Sequence, residues 1–116
     1  MKIIEREVRS RKMLDSLITQ ARHPTIISIS RKHSFGAHWL HRMLGKVKLE
    51  YEDRIAIHAF YVEDPAKIMA LLGEGKSMIT YFVKEQEIKS HLTGSVSKAN
   101  FDTKLAMIIT ENKDLF

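Results

Sequence analysis

Apolar positions along the chain repeat with two different periods. Lys2–Glu5 sets two isoleucines among charges and predicts a short strand at a sheet edge, where charged side chains guard unpaired backbone. After Ser10 the period changes. Met13, Leu14, Leu17, Ile18 and Ala21 recur at i, i+1, i+4, i+5 and i+8, one face of a helix that Pro24 closes. Thr25–Ser30 carries Ile26, Ile27 and Ile29, and this β-branched run predicts a strand. Arg31–Phe35 reads as a loop, with Ser34 as N-cap of a helix beginning near Gly36. Ala37, Leu40, Leu44, Val47 and Tyr51 mark that helix's apolar stripe, and His38, His41, Arg42 and Lys48 lie off it.

Arg54–Val62 is almost continuously apolar, the pattern of a parallel strand covered on both faces. Asp64-Pro65 supplies an N-cap and a first helical residue for a short helix through Leu72, which Gly73 ends. Met78–Val83 and Glu87–Leu92 flank Lys84-Glu85-Gln86, the length of a hairpin turn but without the usual glycine. Gly94 breaks the second of these strands. Ser97 caps a last helix with Phe101, Leu105, Ile108 and Ile109 on one face, and residues 111–116 read as a tail. The order is β-α-β-α-β-α-β-β-α, an α/β chain with a central mixed sheet of four to five strands flanked by helices. The helix-linked strands are candidates for parallel pairing, and the closing hairpin adds antiparallel partners. With no repeat, linker or low-complexity tract, residues 1–116 read as one domain.

Composition changes this picture at one point. The 116 residues include no cysteine, which excludes disulfides, thiolate nucleophiles and Cys-ligated metals. The start of the chain lacks a signal-peptide pattern, and no stretch approaches the roughly 18 apolar residues of a membrane span, so a cytoplasmic location without membrane association is expected. Net charge is +5, which is compatible with an acidic partner or nucleic acid but is more simply read as serving solubility.

Several local stretches resemble the thioredoxin-like family. Ile26–Ser30 corresponds to its central strand. Glu50-Tyr51, Arg54–Val62 and Glu63-Asp64-Pro65 resemble its helix end, next strand and acidic turn. Lys84-Glu85-Gln86-Glu87-Ile88 is similar to its Lys-Asn-Gly-Glu-Val hairpin, and Gly94-Ser95-Val96-Ser97-Lys98 to its Gly-Ala-x-Ser-Lys entry into the last helix. The resemblance implies a thioredoxin-like fold and also locates what is missing. The family's Trp-Cys-Gly-Pro-Cys falls on His33-Ser34-Phe35-Gly36-Ala37, so thiol–disulfide exchange is excluded. Its cis-proline falls at about Met78, where an ordinary trans peptide is expected. Its buried acid falls on Ser28 and the lysine partner on about Ala59, so the proton-handling groups are gone together.

Three constellations remain. Ser34 stands at the lost nucleophile with His33 and His38 nearby, but no carboxylate lies between Ile18 and Glu50 to orient a base, and capping the helix is the simpler role. His38 and His41 share a helical face at ligand-compatible spacing, but a third ligand is lacking beyond loop-borne His33, so no metal and no cofactor are expected. His58, within the apolar strand, reads as a half-buried structural residue. Arg31, Lys32 and His33 precede a helix N-terminus, which itself favours anions. Phe35 and Trp39 interleave with this patch, although Trp39 and Met43 also fit as core residues on the helix's second flank. If the fold holds, Ser77, Met78 and Ile79 lie beside the loop as one side of a groove. The expected function is a redox-inactive module binding a protein or acidic peptide through Arg31, Lys32, His33, Phe35, Trp39, Ser77, Met78 and Ile79. The alternative is an enzyme or anion binder using Ser34, His33 and His38, and a weak nucleic-acid binder ranks third, since no motif supports it. A monomer or a homodimer would serve either role.

Overall fold

β-Branched and aromatic runs separated by capped helical segments produce alternating elements in the computed structural model, which describes residues 3–32, 34–73 and 75–109. They are β1 (Glu5–Glu7), α1 (Arg11–Thr19), β2 (Thr25–Arg31), α2 (Phe35–Tyr51), a 3-10 turn (Glu52–Arg54), β3 (Ala56–Val62), α3 (Pro65–Leu71), β4 (Met78–Lys84), β5 (Glu87–Thr93) and α4 (Lys98–Ile109). The strands form one mixed sheet in the order β1-β3-β2-β4-β5. β1 and β2 run parallel to β3, β4 pairs antiparallel with β2, and β5 antiparallel with β4.

β2 lies at the centre, and its residues 25–30 are all buried. Its alternation feeds two cores. Ile26 faces α2 and α4, packing with Leu40, Leu44, Met78, Phe82 and Phe101. Ile27 and Ile29 face α1 and α3, packing with Leu14, Phe60, Leu71 and Val83.

Caps set most helix starts. The Met13 N–H donates to Ser10 Oγ (3.3 Å), the Ala66 N–H to Asp64 Oδ1 (2.8 Å) and the Asn100 N–H to Ser97 Oγ (3.2 Å). Three boundaries differ from the sequence expectation by more than one residue. The first strand is Glu5–Glu7, with Lys2 outside the described residues, because pairing with β3 begins only at Glu5, in register with Ala59. Ile3 packs on the α2-side core, whereas Ile4 is 77% exposed. Helix α1 ends at Thr19, before Pro24, and Ala21 reaches its core from the connecting loop. The third long strand starts at Ala56 because Glu52–Arg54 form a 3-10 turn. Residues 111–116 lie outside the described residues.

Candidate functional site

The carboxyl ends of β2 and β3 meet the start of α2, and the loop between β2 and α2 is pinned on both sides. The Arg31 N–H donates to the Ser77 carbonyl (3.0 Å), the Lys32 N–H to the Val62 carbonyl (3.2 Å) and the Ser34 N–H to the Arg31 carbonyl (3.2 Å). Ser34 occupies the N-cap position with extended backbone, but its side chain accepts no capping hydrogen bond. The capping role expected of it is therefore not made in this conformation. Lys32 lies 3.3 Å from Glu63 and 5.1 Å from the centre of the Tyr61 ring. His33 and the side chain of Phe35 lie outside the described residues.

The expected groove at Ser77, Met78 and Ile79 is mostly closed. Ser77 is exposed, but Met78 is fully buried and Ile79 is 9% exposed. Strand alternation explains this: Met78 faces α2 opposite Ser30, and Ile79 faces the other core. The Met78 methyl fills the space beside Gly36, where a Cβ would lie 3.1 Å from it. The Ser77 and Met78 carbonyls are already taken, by the N–H groups of Arg31 and Gly94. The described peptide bonds are trans.

A cavity of about 390 Å³ opens instead on the other flank of α2, lined by Glu5, Lys32, Ser34, Ala37, His38, His41 and Tyr61. Glu5 reaches it from the edge strand, in register with Ala59, which in turn is in register with Ser28. Its Oε2 accepts a hydrogen bond from Ser30 Oγ (3.3 Å) and lies 3.7 Å from His41 Nε2, too far for a hydrogen bond. His41 Nε2 is buried without a partner. Burial holds the His41 pKa below the usual histidine range, against the raising influence of Glu5 and with a lowering contribution from His38. Ser28 and Thr80, opposite each other on β2 and β4, bury hydroxyl groups that have no hydrogen-bond partner.

Ser28 and Ala59 leave the central strands without a proton-handling group, but a carboxylate does reach this face, from β1. A period-two signal was available, since Glu5 follows Ile3 by two. His38 and His41 line this same cavity, yet among the described residues no three His, Asp or Glu groups are gathered to hold a metal ion. Ser34 shares the cavity with both histidines but hydrogen-bonds to neither.

Of the two residues weighed as core on the second flank of α2, Met43 is buried and Trp39 is 48% exposed. Trp39 stands beside exposed His38 and Arg42. Residues 19–49 contain Arg22, Arg31, Lys32, Arg42, Lys46 and Lys48 and no carboxylate. The rest of the chain sets the other 13 of its 19 basic residues against all 14 acidic ones, so the whole positive excess resides in this run. Among the described residues, Arg31, Arg42 and Lys46 take part in no ion pair. No helix among them is long and apolar enough to cross a membrane.

These features define a thioredoxin-like fold without redox cysteines. The chain is similar in structure to chloroplastic thioredoxin z, with TM-score 0.63, 16% identity and 95% of this chain matched to 99% of that one. It is also similar to a chain from the structural work on thiol resolution in yeast mitochondrial 1-Cys peroxiredoxin via glutathione/thioredoxin systems (TM-score 0.60, 13% identity, 85% of this chain and 92% of that one). Plasmodium falciparum thioredoxin gives TM-score 0.58 at 13% identity over 85% of this chain and 95% of that one. In sequence, no family model and no curated protein matches the chain.

Proposed function

We propose that this protein is a redox-inactive thioredoxin-like module, acting as a single cytoplasmic domain, that binds a protein or acidic peptide through the basic surface of residues 31–39. One observation carries the reading: an exposed tryptophan stands within the carboxylate-free run that holds the molecule's entire positive excess. Aromatic and arginine side chains are the usual anchors of protein interfaces, and a surface with a positive excess steers an acidic partner. Met78 and Ile79 are buried, so the exposed members of this surface among the described residues are Arg31, Lys32, Trp39 and Ser77. Without cysteine, dithiol exchange has no chemistry to use.

A second reading has its own support, because Ser34 shares a cavity with His38, His41 and Glu5. It makes Ser34 a nucleophile or ligand contact. Affinity capture from nuclease-treated lysate separates the two. On the binding reading, wild type and Ser34→Ala recover the same discrete protein and Arg31→Glu with Lys32→Glu recovers none. Loss of that protein with Ser34→Ala alone favours the cavity.

A further inference from the structure

The exposed arc of α2 extends beyond the loop. At 100° per residue, Trp39, Arg42, Lys46 and Leu49 fall within about a quarter of the helix circumference. All four are exposed, Trp39 at 48% and Leu49 at 57%, in a helix whose opposite stripe is buried. The two apolar side chains stand about 15 Å apart along the axis, with Arg42 and Lys46 at positions between them. Neither cation has an acidic partner among the described ion pairs, and the helix carries no carboxylate before Glu50.

We propose that this face of α2 is a docking site for an acidic amphipathic helix. The partner's apolar residues would cover Trp39 and Leu49, and its Asp or Glu side chains would pair with Arg42 and Lys46. Two features favour a helix over an extended acidic segment. The apolar anchors are separated by about three helical turns, the spacing that i, i+4, i+7 and i+11 residues of a partner helix reproduce. The cations lie on the same line as the anchors, so a partner stripe of one width meets both. The proposal rests on the protein-binding reading above and names both the surface and the partner's chemistry.

The probe is a synthetic helical peptide of about 16 residues with leucine at those four spacings and glutamate on either side of the stripe. Fluorescein anisotropy measures its affinity, and the emission of Trp39, the only tryptophan in the chain, reports contact directly. Saturable binding with a blue shift of Trp39 emission is expected. Arg42→Glu with Lys46→Glu should weaken binding by about 30-fold and Trp39→Ala by about 10-fold, as central anchors do. Arg31→Glu with Lys32→Glu should weaken it by about threefold or less, a loss typical of rim charges. All substituted positions are exposed, and unchanged urea unfolding would show that the variants fold.

Equal binding of a proline-interrupted peptide of the same composition would overturn the helix assignment. Equal or tighter binding of oligothymidylate or of phosphatidylserine vesicles would overturn the partner class. If the peptide binds but only the loop pair matters, this docking face falls and the loop reading stands. If neither pair alters binding, both fall.

Discussion

Glu85 and Gln86 hold left-handed backbone, with φ of +57° and +65°, in the two-residue turn joining β4 to β5. Two-residue hairpins favour this geometry because its twist matches the strands, but side chains with a Cβ resist it. Gln86→Gly should therefore stabilise the fold by about 0.5–1 kcal/mol after the entropic cost of glycine, read as a raised urea midpoint with unchanged m-value. His58 carries a second residue-level consequence. It stacks on Phe60 with ring centroids 6.4 Å apart, and burial, followed by the charges of Arg6 and Lys48, lowers its pKa. The folded state then binds this proton less readily than the unfolded chain, whose histidine titrates near about 6.5. Stability from His58 is full above that pH and is lost as pH falls towards the lowered value. The drop in melting temperature between pH 7.5 and 5.5 should accordingly be smaller in His58→Gln than in wild type.

Elements are held to the sheet by a few large side chains. Phe101 of α4 meets Phe82 of β4 edge to face, with centroids 5.7 Å apart, and both are buried. Phe101→Ala removes this anchor and leaves a cavity, at a cost of about 3–5 kcal/mol. Chemical denaturation should show a loss of that size, whereas Met107→Ala, on the exposed side of α4, should lie within about 0.5 kcal/mol of wild type. On the other side of α2, the Ser30–Glu5 hydrogen bond and the nearby His41 connect the three-residue edge strand to the helix. Glu5→Ala should speed exchange of the Val8 amide, which donates to the Tyr61 carbonyl beside that strand, while leaving Ile27 and Phe82 protected.

Charge asymmetry belongs to the whole molecule. The positive excess lies in residues 19–49, which build the central strand and the long helix, so the field is oriented. Arg42→Glu with Lys46→Glu and Lys12→Glu with Lys98→Glu produce the same net charge. The α2 pair should elute markedly earlier from a sulfonate column, because a surface binds the resin by its most positive side. Equal retention would show that the asymmetry is not concentrated on α2.

Much of the architecture was legible because it depends on neighbours in sequence. The periods of the apolar residues, the caps at Asp64 and Ser97, and the β-branched content of Thr25–Ser30 act locally, and absence of cysteine is a property of composition alone. The candidate site was less legible. Glu5 and His41 are 36 positions apart and meet only because β1 pairs beyond β3 at the sheet edge, under α2. Met78 is removed from the expected groove by the phase of β4 against β2, and Trp39 is left outside because α2 turns Leu40, Met43, Leu44 and Val47 to the core. The sequence by itself determined the order of elements, the loss of thiol chemistry and the carboxylate-free run, since these need no partner across space. Only the tertiary structure decided which side chains face a core, a cavity or solvent, because strand register and helix rotation are set by packing between distant segments.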